Sequence, residues 1–174
     1  MVTIRAEILF DAPAREALLN AAFGVKRSRK TSEKLRRGRL PAEALTFSAV
    51  DAQGKLIGTV RLWDIIAGSA GPALLLGPLA VDWTFRSQSV GAALMKHALE
   101  AAKRLGHTAV LLVGDEPYYS RFGFSESLAR SLHLPGPVER ARFLGLELVE
   151  GSLDGTEGLV AASGRVMEAA KKVA

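Results

Sequence analysis

The sequence predicts a mixed α/β sheet, and two patterns carry that prediction. An apolar strand at 73–81, a helix at about 90–105 and a second apolar strand at 108–113 form a strand–helix–strand crossover, which requires parallel pairing. A hairpin over 45–63 requires antiparallel pairing elsewhere. The composition supports a packed core: 48% of the 174 residues are hydrophobic and 24% are charged, the balance of an ordinary globular chain. The length suits one domain, taken as 1–174, and no repeat, low-complexity tract or linker divides it.

The elements follow in order. VTIRAEIL (2–9) alternates like a strand. Asp11 offers an N-cap with Pro13 in the first turn, and Ala14, Leu18, Ala21 and Ala22 make an apolar stripe at helical spacing. Ser32 is a candidate cap for a short helix that Gly38 stops. LTFSAVD (45–51), a turn at Ala52–Lys55 and LIGTVRLW (56–63) make the hairpin, and Gly68 to Pro72 is a further turn. ALLLGPLAV (73–81) is interrupted by Gly77-Pro78; proline has no N–H for a ladder, so a bulge or an edge is expected there. In the next helix Val90, Leu94, Ala98, Ala101 and Leu105 share one face, and Gly106 ends it. TAVLLV (108–113) is a buried strand, and Tyr118 to Phe122 is a helical turn ended by Gly123-Phe124. Strands at 142–151 and 158–163 close the chain.

Composition removes several chemistries. There is no cysteine, so disulfides, thiolate catalysis and Cys-based zinc sites are excluded. His97, His107 and His133 are dispersed, with no metal-ligand spacing, and structural or surface roles are expected for them. The N-terminus has no apolar leader-type run, and no stretch approaches the roughly 20 apolar residues that span a bilayer. A cytoplasmic protein without membrane attachment is expected. The net charge is +5, but residues 26–39 hold eight basic side chains and one acid. The rest of the chain is therefore slightly acidic, and the basic character is local.

The junction Arg-Ser-Gln-Ser-Val-Gly (86–91) lies between a strand and a long helix. A helix start has unpaired N–H groups and partial positive charge, which suits phosphates, and Arg86 adds a full charge. Taken alone, the junction is equally an N-cap turn closed by Ser87 or Ser89.

Two longer patterns give it context. The run L-G-P-L-A-V-D-x-x-x-R-x-Q-x-x-G-A-A-L-M (76–95) resembles the acetyl-CoA motif of the GNAT superfamily of N-acyltransferases. In that motif a strand ending L-A-V precedes [Q/R]-x-x-G-x-[G/A] and a helix; Arg86, Ser89 and Gly91 fill its first, fourth and sixth places. VLLVGDEPYYSRFGF (110–124) resembles the second half of the family core, with its F-Y-x-[K/R]-x-G-F ending. With LHLPGP and L-E-L-x-x-G-x-L-x-G downstream, the chain resembles the YhbS-like branch of predicted acetyltransferases from about Phe23 to Gly158. The resemblance implies a mostly antiparallel twisted sheet with a splayed parallel pair, flanked by helices. It also implies an N-acetyltransferase using acetyl-CoA as cosubstrate and a primary amine, on a small molecule or a peptide, as acceptor. Implied binding positions are Leu79, Ala80, Val81, Arg86, Ser87, Gln88, Ser89, Val90, Gly91 and Ala92. Serines stand at 87 and 89 where glycines are usual: Ser89 either crowds the pyrophosphate or donates a hydrogen bond to it. Trp83 stands where proline is common and has no functional reading.

The resemblance further implies direct attack in a ternary complex. The pantetheine arm of the family runs along the strand corresponding to Gly77–Val81, whose N–H groups are candidates to polarise the acetyl carbonyl. Tyr119 matches the position that often serves as general acid for the thiolate; otherwise it is a half-buried tyrosine. Tyr118 matches a packing aromatic. Asp115 and Glu116 follow a strand end and are open as base or as solvated charges.

The basic 26–39 segment falls where the family walls its acceptor site. It reads as a cleft for an acidic acceptor or for the 3′-phosphate, as a nucleic-acid or membrane contact, or as a solvated face. Nucleic acid is the weaker reading, since no aromatics interleave with the basic residues for base stacking. A non-catalytic acyl-CoA-binding module is the other alternative to catalysis. Exposed edge strands leave a homodimer open.

Overall fold

A computed structural model describes residues 1–168. β1 (Thr3–Ala6) stops short of the expected 2–9, because the chain bends into a 3-10 turn at Leu9–Asp11. Asp11 does not cap α1 (Ala12–Phe23) through its side chain. Its buried carboxylate accepts from the Arg5 guanidinium at 2.7 and 2.9 Å, the Ile8 N–H at 2.9 Å and the Ser48 hydroxyl at 2.8 Å. The Arg5 bonds, against the effect of burial, hold it well below the usual carboxylate range. The apolar stripe of α1 is also displaced. Leu19 is the buried residue, while Ala14 and Ala21 are exposed. Arg15 sets this rotation, because it reaches inward to the nearly buried Glu7, which also faces Arg61.

Residues 26–39 do not form the expected helix from Ser32. They hold two 3-10 turns, Val25–Arg29 and Thr31–Leu35, and Lys30, not Ser32, stands before the second. Like charges at helical spacing repel, and Leu35 is the one buried residue of these two turns.

The remaining elements are β2 (Thr46–Val50), β3 (Leu56–Ala67), β4 (Pro72–Val81), α2 (Val90–Arg104), β5 (Ala109–Val113), α3 (Glu116–Tyr119), β6 (Leu132–His133), β7 (Phe143–Glu147) and β8 (Gly158–Ala162). The sheet runs β1-β2-β3-β4-β5-β7. Only β4–β5 is parallel along this path; β8 pairs antiparallel with the end of β3, and the short β6, which the sequence did not reveal, pairs parallel with β8. β7 ends at Glu147, earlier than expected, because that carboxylate accepts from the Gly151 and Leu153 N–H groups and turns the chain.

α2 covers one face of the sheet with Val90, Leu94, Met95, Ala98, Ala101 and Ala102. Each buried Leu or Met there contributes about 2 kcal/mol. Leu105, expected on this face, is 52% exposed at the helix end. His97, expected on the exposed side, is half-buried with its ring edge-on to Phe47 at 4.6 Å. The other face is closed by Leu35, Trp63, Ile65, Leu75, Leu111, Phe143 and Val160.

The feature that positions the site is the divergence of β4 from β5. They pair only at Leu74↔Val110 and Leu75↔Leu111. On the other edge β4 stays with β3 through a bulge: Leu62 faces Leu76 and Val60 faces Leu79, leaving Arg61 opposite Gly77 and Pro78. The Gly77–Pro78 peptide is cis. The Trp63 indole N–H donates to the Gly77 carbonyl at 2.6 Å. The expected break is therefore a bulge, and β4 continues to Val81 with a partner on one side. Among the described residues no helix is long and apolar enough to cross a membrane.

Candidate active site

Two clefts lie along the diverging half of β4. The first, about 390 Å³, opens at the start of α2. Leu79, Ala80 and Val81 line it, together with Arg86, Ser87, Ser89, Gly91 and Ala92, so the structure gathers eight of the ten expected binding residues. Gln88 and Val90 are not among its walls; Val90 is 2% exposed and packs on the sheet beside Gly58. The first helical hydrogen bond of α2 runs from the Ala93 N–H to the Ser89 carbonyl at 3.0 Å. The N–H groups of Val90, Gly91 and Ala92 therefore precede the helical ladder and, with the helix dipole, favour an anion.

Ser89 has φ 58 and ψ 22, the left-handed conformation, and its hydroxyl makes no cap bond. A serine takes the shape that glycine takes freely, at a cost of about 1 kcal/mol. Ser89→Gly is expected to stabilise the fold by about that amount, read as a rise in Tm. An unchanged or lower Tm would show that the hydroxyl holds the loop.

Side chains supply further charge. The Arg86 guanidinium lies 4.8 Å over the Trp83 ring, and that of Arg121 lies 4.6 Å over the Tyr118 ring. Trp83, unreadable in the sequence, is a platform that holds Arg86. Arg121, part of the 110–124 motif but not among the expected site residues, lines the cleft. Tyr118 is not the core aromatic expected: it is half-buried on the cleft wall, and a Cβ on Gly91 would stand 2.7 Å from its hydroxyl.

The second cleft, about 650 Å³, lies where β4 and β5 part. Its walls are Leu75–Leu79, Val113–Asp115 and Tyr119, faced by the 3-10 segment, by Pro137–Glu139 and by Arg142. Phe23 and Leu79 line both clefts, so the two meet over β4. The Tyr119 ring packs against Gly114, where a Cβ would come within 2.3 Å of it. Burial, then the neighbouring Tyr118 and Asp115, push its hydroxyl up to about pKa 12. Among the described residues no side-chain or backbone group hydrogen-bonds that hydroxyl. Asp115 lines this cleft, 74% exposed and paired with Arg142 at 3.2 Å, whereas Glu116 lines neither cleft. No histidine lines either.

The basic segment forms one wall and is tied across the cleft mouth. The Thr31 hydroxyl donates to the Pro137 carbonyl at 2.5 Å and the Lys34 ammonium to the Pro135 carbonyl at 3.0 Å. Arg37 and Arg39 donate to the Ser28 and Gly164 carbonyls, both at 2.8 Å. These bonds fix part of the segment against the fold, while Lys26, Arg29, Lys30, Lys34 and Arg37 stay exposed.

A helix start that favours anions, beside a strand that leaves its parallel partner next to a half-buried tyrosine, is the arrangement of an acyl-CoA-dependent transferase. The chain belongs to the GNAT family: residues 13–124 match the family described as Acetyltransferase (GNAT). It is 32% identical over 158 residues to YhbS, an uncharacterised N-acetyltransferase of Escherichia coli K12, covering 90% of this chain and 93% of that one. The crystal structure of Escherichia coli YhbS in complex with CoA aligns with a TM-score of 0.78 over 93% of this chain and 89% of that one, at 32% identity. A GNAT acetyltransferase of Brucella melitensis in complex with acetyl-CoA shares the fold at a TM-score of 0.65, 24% identity, and coverage of 94% and 96%.

Proposed function

We propose that residues 1–174 act as one acetyltransferase domain that moves the acetyl group of acetyl-CoA directly to a primary amine within a ternary complex. The observation that carries this reading is the meeting of the two clefts at Leu79, on the half of β4 that has left β5. The first cleft fits the diphosphate: free helix N–H groups, Arg86 and Arg121 converge there, and Gly91 brings no Cβ. That YhbS, to which the chain is similar, forms a complex with CoA supports CoA as the ligand class. When bound, acetyl-CoA supplies the activated thioester carbonyl. Backbone N–H groups of Leu79–Val81 are proposed to orient and polarise that carbonyl.

Tyr119 holds a proton at its hydroxyl in the second cleft. A phenol pushed up to about 12 keeps that proton against a thiolate, whose acid has a pKa of about 8.5 in cysteine. Tyr119 therefore contributes a hydrogen bond to the departing sulfur more than a full proton transfer. The chain has no cysteine to carry an acyl group, which favours direct attack.

Initial-rate kinetics with a reactive amine test the order of events. Intersecting double-reciprocal lines are expected. Parallel lines, or an acetylated chain in intact mass spectra after acetyl-CoA alone, would replace the ternary complex with a covalent route. A melting shift with acetyl-CoA but no turnover on a broad amine panel would reduce the protein to a binding module.

A further inference from the structure

The second cleft carries an imbalance of charge that acetyl-CoA does not account for. Five basic side chains and three carboxylates line it. Arg36 and Arg142 each have a carboxylate partner, Glu33 at 3.1 Å and Asp115 at 3.2 Å. Lys30 has no ion-pair partner among the described residues, and its ammonium rests 4.4 Å over the Phe23 ring. The Arg36 side chain is only 9% exposed, and one of its terminal nitrogens lies 3.4 Å from where a Cβ on Gly77 would stand. Cations from the 26–39 segment, Arg36 of them beside the β4 bulge, and from the approach to β7 thus line a common space. Burial lowers the Lys30 pKa, and the positive charges of Arg142 and Arg36 lower it further, which places the three groups within each other's field.

A concave site lined by excess charge of one sign concentrates that field. Glu33 and Asp115 offset Arg36 and Arg142, which leaves Lys30 and Arg29 as the cations of this lining with no ion-pair partner among the described residues, and five basic groups against three carboxylates leave an excess that an anionic group can balance. The diphosphate of the cosubstrate is proposed for the other cleft, with Arg86, Arg121 and the start of α2. These cations line a cleft of about 650 Å³, a volume suited to a small molecule. Building on the proposed acetyl transfer, we infer that the acceptor is a small amine that also carries an anionic group, a carboxylate or a phosphate. Lys30 and Arg142 hold that group, and Arg36 stands behind them next to the bulge.

The test uses the full chain with acetyl-CoA and primary amines in matched pairs: amino carboxylic acids against their methyl amides, and aminoalkyl phosphates against the corresponding alcohols. Rates are compared as kcat/KM for the free-base amine. The anionic member is expected to exceed its neutral partner by roughly tenfold or more, the weight of one charge-assisted hydrogen bond. Lys30→Glu is expected to abolish or reverse that ratio while acetyl-CoA still binds by calorimetry, and Lys30→Gln, which changes the surface least, to reduce it. Calorimetry of the better anionic amine in the presence of CoA is expected to show binding that its neutral partner lacks. Neutral amines acetylated as fast as the acids, or a ratio untouched by both Lys30 variants, would overturn this inference and leave acetyl transfer standing. Failure of both members of every pair, with acetyl-CoA bound, would overturn acetyl transfer and this inference together.

Discussion

Tyr119→Phe is expected to lower kcat roughly a hundredfold, about 2.7 kcal/mol of barrier, with little change in fold stability. The two halves of that expectation have separate causes. The hydroxyl has no hydrogen-bond partner within the protein among the described residues, so its removal strands no donor and opens no cavity. The ring stays between Tyr118, at 4.9 Å, and Phe124, at 6.1 Å. Stability should shift by no more than about 0.5 kcal/mol. The pH dependence is a second mark. The group acts in its protonated form, and its pKa is pushed up to about 12. An ordinary tyrosine near 10 would begin to lose its proton by about pH 9; Tyr119 does not. The wild-type rate should therefore show no decline from this group up to pH 10, and the variant should fall by one factor throughout. A variant with unchanged turnover across that range would take Tyr119 out of the reaction. Gly114→Ala gives a steric counterpart. Its Cβ, 2.3 Å from the Tyr119 ring, must displace the ring, so it should lose activity to the same extent and stability as well.

Much of the architecture was legible because it rests on periodicity. α2 shows in the spacing of Val90, Leu94, Ala98 and Ala101, and the crossover follows from its two apolar flanking strands. The failures lie where a polar side chain reaches across the fold. Asp11 has the identity and place of a helix cap, yet its carboxylate serves Arg5 and Ser48 on two strands. The rotation of α1 follows Arg15 and Glu7, a pair invisible to an apolar stripe count. Length misled at 26–39 for another reason: spacing alone allows a helix, but like charges and a single buried Leu35 do not sustain one.

The candidate site divides in the same way. The binding loop was readable because its residues are contiguous and follow a motif. Trp83 was not, because its partner is a guanidinium at 4.8 Å that no spacing rule predicts. Lys30, Arg36 and Arg142 come together only when the segment after α1 crosses to the turn before β7, a tertiary fact. Gly114 appeared in the motif without a reason; the reason is the ring that lies on it.

Gly91→Ala is the corresponding expectation for the first cleft. A methyl group at this position has two opposed effects on the fold. Alanine is the better helix former by about 1 kcal/mol. Against that, its Cβ would stand 2.7 Å from the Tyr118 hydroxyl and 3.6 Å from a Val81 methyl. The hydroxyl is the far end of a side chain, but its ring is held by Arg121 at 4.6 Å and by Phe122 at 5.6 Å, so it yields only in part. These terms are of similar size and opposite sign, and Tm should move little. Ligand binding has no such compensation. The Cβ occupies the surface over which the free N–H groups of the α2 start would reach a diphosphate, and each charge-assisted bond lost there costs about 1.5–3 kcal/mol. Loss of one or two raises the Kd for acetyl-CoA roughly a hundredfold, measured by calorimetry. The KM for the acceptor, proposed for the other cleft, should stay near its wild-type value at saturating acetyl-CoA. An unchanged Kd would mean that the diphosphate does not approach Gly91, and the anion-binding role of the α2 start would fall with it.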